Sequence, residues 1–200
     1  MAEDTKARIR AVAVELFTAQ GFEQTSLREI ADRVGMTKAS LYYHYPSKQA
    51  LLLSLVEPLV DDWRRSVEVA ETLPHNPDNL RLVLGQFLDT MLRHRSACAL
   101  FMRDVPAVLA SIEPIWMEVI QLTKRLNVWL SGPDPTDVDR IRAIAATETM
   151  GAALSSGFVI DHVSDAVLRQ TLLDCASAVL DLPKTAPAAV PVAPQRVPAA

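Results

Sequence analysis

Apolar residues recur along this chain at the spacing of helices, not strands. Ile9, Val12, Ala13, Leu16 and Phe17 follow i, i+3, i+4, i+7, i+8 and form one stripe, which Gly21 ends. Leu27, Ile30, Ala31 and Val34 line one face of a short second helix closed by Gly35. Ser26 and Glu29 give it an S-x-x-E capping box. Thr37 caps a third helix that cannot continue past Pro46, and Ser47 caps a fourth starting at Lys48. That fourth helix carries Pro58 inside it, where the ring removes a bond to the Ser54 carbonyl and is expected to bend the helix.

The later helices are longer. Asn76-Pro77 opens one running to about His94. "ACALFMRDVPAVLA" predicts a helix interrupted at Pro106, and another starts near Ser111 and closes at Gly132. Asp134-Pro135 repeats the cap-plus-proline signal for a helix to about Gly157, and Ser164 starts the last, ending near Leu182. From Pro183 the chain is rich in Pro and Ala without large apolar groups, the composition of a disordered or extended tail. No segment alternates as a strand, so the expected class is all-α.

Two short helices joined by "GMT" make a helix-turn-helix pattern, Leu27–Val34 followed by Lys38–His44. In that geometry the second helix enters the DNA major groove. Lys38 can donate to guanine, Ser40 can donate or accept, and Ala39 is small enough to approach a thymine methyl. Thr37, Tyr42, His44 and Lys48 supply donors for phosphates, and Arg28 lies within reach of the same groove. Helical hairpins with glycine turns also occur in proteins that never touch DNA. The hairpin alone is therefore a weak signal.

Charge sharpens the picture. The chain has 200 residues and a net charge of -4, which argues against a protein that coats nucleic acid by charge alone. The balance is uneven: seven Lys/Arg and six Asp/Glu in residues 1–50 give +1, and thirteen and eighteen in residues 51–200 give -5. Nucleic-acid contact is thus expected near the N-terminus only. Cys98 and Cys175 match no metal or redox spacing, which fits a reducing cytosol. No signal peptide or bilayer-length apolar stretch is evident, so a cytoplasmic location is expected.

Residues 6–52, "KARIRAVAVELFTAQGFEQTSLREIADRVGMTKASLYYHYPSKQALL", resemble the DNA-binding domain of the TetR family of transcriptional regulators. The matching parts are A-x-x-L-F-x-x-x-G-F-x-x-T-S over Ala13–Ser26, I-A-x-x-x-G over Ile30–Gly35, and T-K-A-S-L-Y-Y-H-Y-P-S-K over Thr37–Lys48. The resemblance implies that Arg28, Thr37, Lys38, Ala39, Ser40, Tyr42, His44 and Lys48 face DNA. Leu41 and Tyr45 match positions facing the small domain's core, and Tyr43 stays open between DNA and packing. It also implies about nine helices, the last two pairing with a second copy in a four-helix bundle. Small residues on the helix from Pro135 (Ala143, Ala145, Ala146, Gly151, Ala152 and Ala153) suit such close approach, although a tight intrachain core would use them too.

The expected organisation is a helix-turn-helix domain over 1–47, a helical effector-binding and dimerisation domain over 48–182, and the tail over 183–200. Trp63, Phe87, Met91, His94, Phe101, Trp116 and Trp129 are the candidate walls of an apolar effector pocket, with Arg103 and Asn127 as further polar candidates. Each aromatic taken singly fits a core as well. The reading that follows is a dimeric, sequence-specific DNA-binding regulator on a palindromic operator, most simply a repressor released by a small apolar or amphipathic effector. The alternative is a constitutive regulator whose helical domain docks a protein. The four histidines are scattered, and HExxH, GxSxG, P-loop and GxGxxG patterns are missing. No enzyme activity, cofactor, metal or membrane partner is expected.

Overall fold

A computed structural model describes residues 2–103, 112–155 and 163–183. The expected interruption at Pro106, the helix end near Gly157 and the tail beyond Pro183 lie outside the described residues. Nine helices are present among those described: α1 (Ala2–Gln20), α2 (Leu27–Val34), α3 (Lys38–His44), α4 (Lys48–Thr72), α5 (Pro77–Arg93), α6 (Arg95–Arg103), α7 (Glu113–Ser131), α8 (Asp137–Ser155) and α9 (Asp165–Val179). No strand occurs in the described residues.

The first three helices form a small layer around the stripe of α1. Ile9, Ala13, Leu16 and Phe17 are buried against Leu27, Ile30, Ala31 and Val34 of α2 and Leu41 of α3. Phe17 and Phe22 meet edge to face at 5.2 Å between ring centroids, across the turn that Gly21 makes at φ 95°. The Ser26 hydroxyl accepts from the Glu29 N–H at 3.1 Å, which is the expected cap. The other half of the box differs. The Glu29 carboxylate accepts from Gln20 Nε2 at 2.8 Å, tying α2 to the end of α1 rather than to its own first turn.

Thr37, Ser47, Asn76 and Ser164 cap α3, α4, α5 and α9 as their spacing predicts. The start of α8 is a correction. Asp134-Pro135 does not cap it; Thr136 does, exchanging bonds with Asp139 through its N–H (2.9 Å) and hydroxyl (2.6 Å). The reciprocal Thr–Asp pair satisfies more of the orphan donors than Asp134 could from two residues further out.

Helix α4 runs without a break through Pro58, which is exposed. Leu51, Leu52, Val56, Leu59, Val60, Val67 and Ala70 are buried along it. It packs against α5 and α7; α8 packs between α7 and α9, and α6 reaches back to α1.

The turn between α2 and α3 depends on Gly35 at φ 79°. A Cβ there would meet nothing within 4 Å, so the cost of a side chain is purely conformational. Gly35→Ala is expected to lower stability by about 1–2 kcal/mol, the penalty of the left-handed region for an L-residue, measured by urea unfolding.

Candidate nucleic-acid interface

Helix α3 has seven residues, so each position has one of two destinies. Leu41 is fully buried and Tyr45, just past its end, is 6% exposed, as expected for the residues that hold the helix to its domain. Thr37, Lys38, Ala39 and Ser40 are all exposed. Thr37 is not free to be a strong donor, because its hydroxyl accepts from the Ser40 N–H at 3.1 Å as the cap. Tyr42 is 42% exposed, and the Lys38 ammonium lies 5.4 Å from its ring centroid. The i, i+4 pair therefore presents a cation and a phenol together.

Tyr43 is 88% exposed, with its ring edge to face on the half-buried His44 ring at 5.5 Å, and does not pack into the core of the described residues. Arg28 is exposed and lies 3.9 Å from Asp32, a distant pair that leaves the guanidinium free to turn.

Lys48 does more than its sequence position suggested. Its ammonium donates to the Phe22 carbonyl at 2.7 Å and the Glu23 carbonyl at 3.1 Å, and sits 4.4 Å from the Phe22 ring centroid. An ammonium has three donors, so one remains for an outside acceptor. Arg28, Lys38, Tyr42 and Lys48 surround one depression of about 450 Å3, with Thr25, Ser26 and Ser47 on its rim. Thr25 and Ser26 were not singled out from sequence. The capping pattern at Ser26 was the signal, because a helix start turns its free N–H groups outward. The Thr25 hydroxyl donates to the Gly21 carbonyl at 2.8 Å and is a turn residue first.

The seven pocket candidates are not brought together. Trp63 and Phe87 meet edge to face at 5.2 Å, with Met91 half-buried one turn on from Phe87. The Trp63 Nε1 is buried without a hydrogen-bond partner among the described residues. Trp129 is elsewhere, its indole donating to the Leu73 carbonyl at 3.4 Å beside His75. Trp116 lines an open groove between α7 and α8, and Asn127 lies in the same groove. The side chains of Phe101 and Arg103 lie outside the described residues.

His94 has a structural partner. Its Nε2 is 2.8 Å from Asp62 Oδ2, which also accepts from Arg93 at 2.8 Å, and Arg65 pairs with the other oxygen. These bonds, that from His94 foremost, hold the Asp62 carboxyl below the usual carboxylate range against the opposing effect of burial. No group of three or more His, Cys, Asp or Glu with metal-binding geometry occurs among the described residues. No helix among them is long and apolar enough to cross a membrane.

Comparison with known proteins bears on the same segment. Residues 9–55 match the model of bacterial regulatory proteins, tetR family. The HTH-type transcriptional regulator EthR of Mycolicibacterium smegmatis is 33% identical over 76 residues, 38% of this chain and 35% of that protein. The HTH-type transcriptional regulator RutR of Escherichia coli is 36% identical over 58 residues, 29% of this chain and 27% of that protein. The chain thus spans about a third of the length of these curated relatives. Among solved structures, the ketosteroid transcriptional regulator KstR2 of Mycobacterium tuberculosis superposes with a TM-score of 0.71 at 16% identity, covering 86% of this chain and 93% of that one. PfmR of Thermus thermophilus, a TetR family transcriptional regulator, gives 0.69 at 17% identity over 89% and 100%. At those identities the structures establish the fold, helix-turn-helix first and larger helical part second.

Lys48→Ala is expected to cost about 1.5 kcal/mol of stability, the low end for bonds to a charged donor at a half-exposed site. A fall in the urea midpoint without any change in DNA affinity would assign the residue to bracing alone.

Proposed function

Because the chain belongs to the tetR family of bacterial regulatory proteins, we propose that it is a homodimeric, sequence-specific DNA-binding transcriptional regulator, a repressor that a small apolar or amphipathic effector releases from a palindromic operator. The observation that carries the reading is the division of α3, with Leu41 buried and Lys38, Ala39, Ser40, Tyr42 and Tyr43 exposed. A helix buried in a core would not leave Lys38, Ser40, Tyr42 and Tyr43 exposed. Lys38 and Ser40 would meet base edges; Arg28, Thr37, Tyr42, Tyr43, His44 and the third donor of Lys48 would take phosphates.

Dimerisation would use the last two helices, α8 and α9, with half-sites about one helical turn (~34–36 Å) apart or somewhat further. The effector would sit beside Trp63, Phe87 and Met91. The support is the unpartnered indole N–H next to an aromatic pair and a methionine: an apolar wall with a single donor suits a ligand carrying a carbonyl or ether. Coupling between the two sites would be about 1–3 kcal/mol, as is usual for a ligand that favours one conformation.

Selection of bound sequences from a random DNA pool, with and without a metabolite extract, tests both halves. An inverted repeat lost in the extract is the expected result; a repeat retained under all extracts would favour a constitutive regulator. On the selected operator, Lys38→Ala is expected to relax preference at one base position per half-site at a cost of about 1–3 kcal/mol. Trp63→Phe keeps an aromatic wall and removes the donor. It is expected to weaken effector response about tenfold while leaving effector-free operator binding unchanged, measured by titration against operator-bound protein.

A further inference from the structure

Lys38 is the first residue of α3, and Tyr42 stands one turn on, at i+4. Long side chains on a helix lean toward its N-terminus, so the Tyr42 ring covers the turn that Lys38 begins. The Lys38 ammonium lies over that ring, 5.4 Å from its centroid. That is within the ~6 Å at which a cation is drawn to an aromatic face. No acidic residue lies in the first turn of α3 to draw the ammonium elsewhere. The neighbouring rings are engaged otherwise: Tyr43 meets His44 edge to face, and Tyr45 is buried in the small domain.

We propose that the Tyr42 ring is a positioning residue for base readout: it holds the Lys38 ammonium over its face, so that the ammonium meets the acceptor edge of one guanine and does not sweep across bases and phosphates. The proposal rests on the DNA reading above and adds a second role for Tyr42 beside the phosphate contact of its hydroxyl. A lysine is a flexible point charge on a four-carbon stem, and it fixes direction less well than the planar fork of an arginine. Specificity is a difference between affinities. A cation free to reach a phosphate beside the wrong base therefore loses discrimination even where it keeps affinity. A ring one turn away limits where the ammonium can go before DNA arrives, and less freedom is then lost on binding.

The ring is itself well supported. Leu41, its chain neighbour, is fully buried and anchors the helix that carries it. Tyr42 shares with Lys38 the depression that Pro46, Ser47 and Lys48 also line, so the ring face and the hydroxyl serve one surface. Docked DNA would exclude water from the pair, and cation–π attraction gains from desolvation.

Competition titrations of the full chain, read by fluorescence anisotropy at one salt concentration, test the proposal. The probes are the operator recovered from the random pool and the same operator with one base pair replaced, the pair at which Lys38→Ala relaxes preference. Tyr42→Phe and Tyr42→Leu both lose the hydroxyl, and only the second loses the ring. Tyr42→Phe is expected to weaken both probes alike and keep their affinity ratio. Tyr42→Leu is expected to lower that ratio about fivefold. The double variant K38A/Y42L is expected to lower it no further than Lys38→Ala alone, whereas a leucine that merely disturbed α3 would lower it in both backgrounds. Tyr42→Trp, which restores a ring without a phenol, is expected to keep the ratio. In NMR spectra of the free protein, the Lys38 ε-methylene protons are expected to be shifted upfield by the ring in wild type and Tyr42→Phe, and not in Tyr42→Leu. Equal ratios for Tyr42→Leu and Tyr42→Phe, with Lys38→Ala still relaxing one position, overturn the proposal while the DNA reading stands. A pool that yields no operator, or a Lys38→Ala variant that relaxes no position, overturns the proposal together with the reading of Lys38 on which it rests.

Discussion

Lys48 opens α4, and its ammonium closes over the turn between α1 and α2, bonded to the carbonyls of Phe22 and Glu23 and resting on the Phe22 ring. Phe22 in turn stacks edge-on against Phe17 of α1. This one cation therefore joins the helix that leads into the large domain to the two helices that support α3. The small domain also meets α4 through the apolar contacts of residues such as Leu51 and Leu52. Those contacts hold the layers together but are non-directional. The ammonium bonds supply direction, which matters wherever the angle of α3 relative to the large domain has to be reproducible.

The same helix carries the second set of directional contacts. Fourteen residues on from Lys48, Asp62 gathers Arg65, Arg93 and His94. Arg93 and His94 stand at the junction of α5 and α6, and α6 packs on α1. The large domain is thus linked to the small one by two routes, along α4 and through the α5–α6 corner, and Asp62 connects them. Pro58 lies between Lys48 and Asp62 on α4, where the Ser54 carbonyl is without its helical donor. Trp63, one residue past Asp62, packs edge to face on Phe87 of α5, so the same stretch of α4 carries the ion cluster and the aromatic contact.

How much of this was legible in the sequence depended on the range of the forces involved. Helices, caps and the inward direction of Leu41 and Tyr45 follow from spacing, because they are fixed within a few residues. The reassigned cap of α8 is an error of the same short range: two proline-flanked candidates stood two residues apart, and the reciprocal Thr136–Asp139 geometry decided between them. The contacts that needed the fold were long-range. Nothing local announces that Lys48 reaches back to Phe22, that Arg8 caps the Val34 carbonyl, or that His94 is held by Asp62. The pocket candidates were hardest, since periodicity shows which aromatics face inward but not which of them adjoin. Trp63 and Phe87 do; Trp129, inward by the same criterion, is spent on the Leu73 carbonyl at the far end of α4.

The uneven charge of the chain acquires a cause from the structure. Three of the small domain's cations, Arg28, Lys38 and Lys48, line one depression, although the net charge of residues 1–50 is only +1. Many acids of the large domain are committed internally, Asp62 to Arg93, Glu71 to Arg125, Asp89 to Arg169 and Glu118 to Arg64, each joining two helices. Its residual negative charge disfavours contact between the large domain and a polyanion.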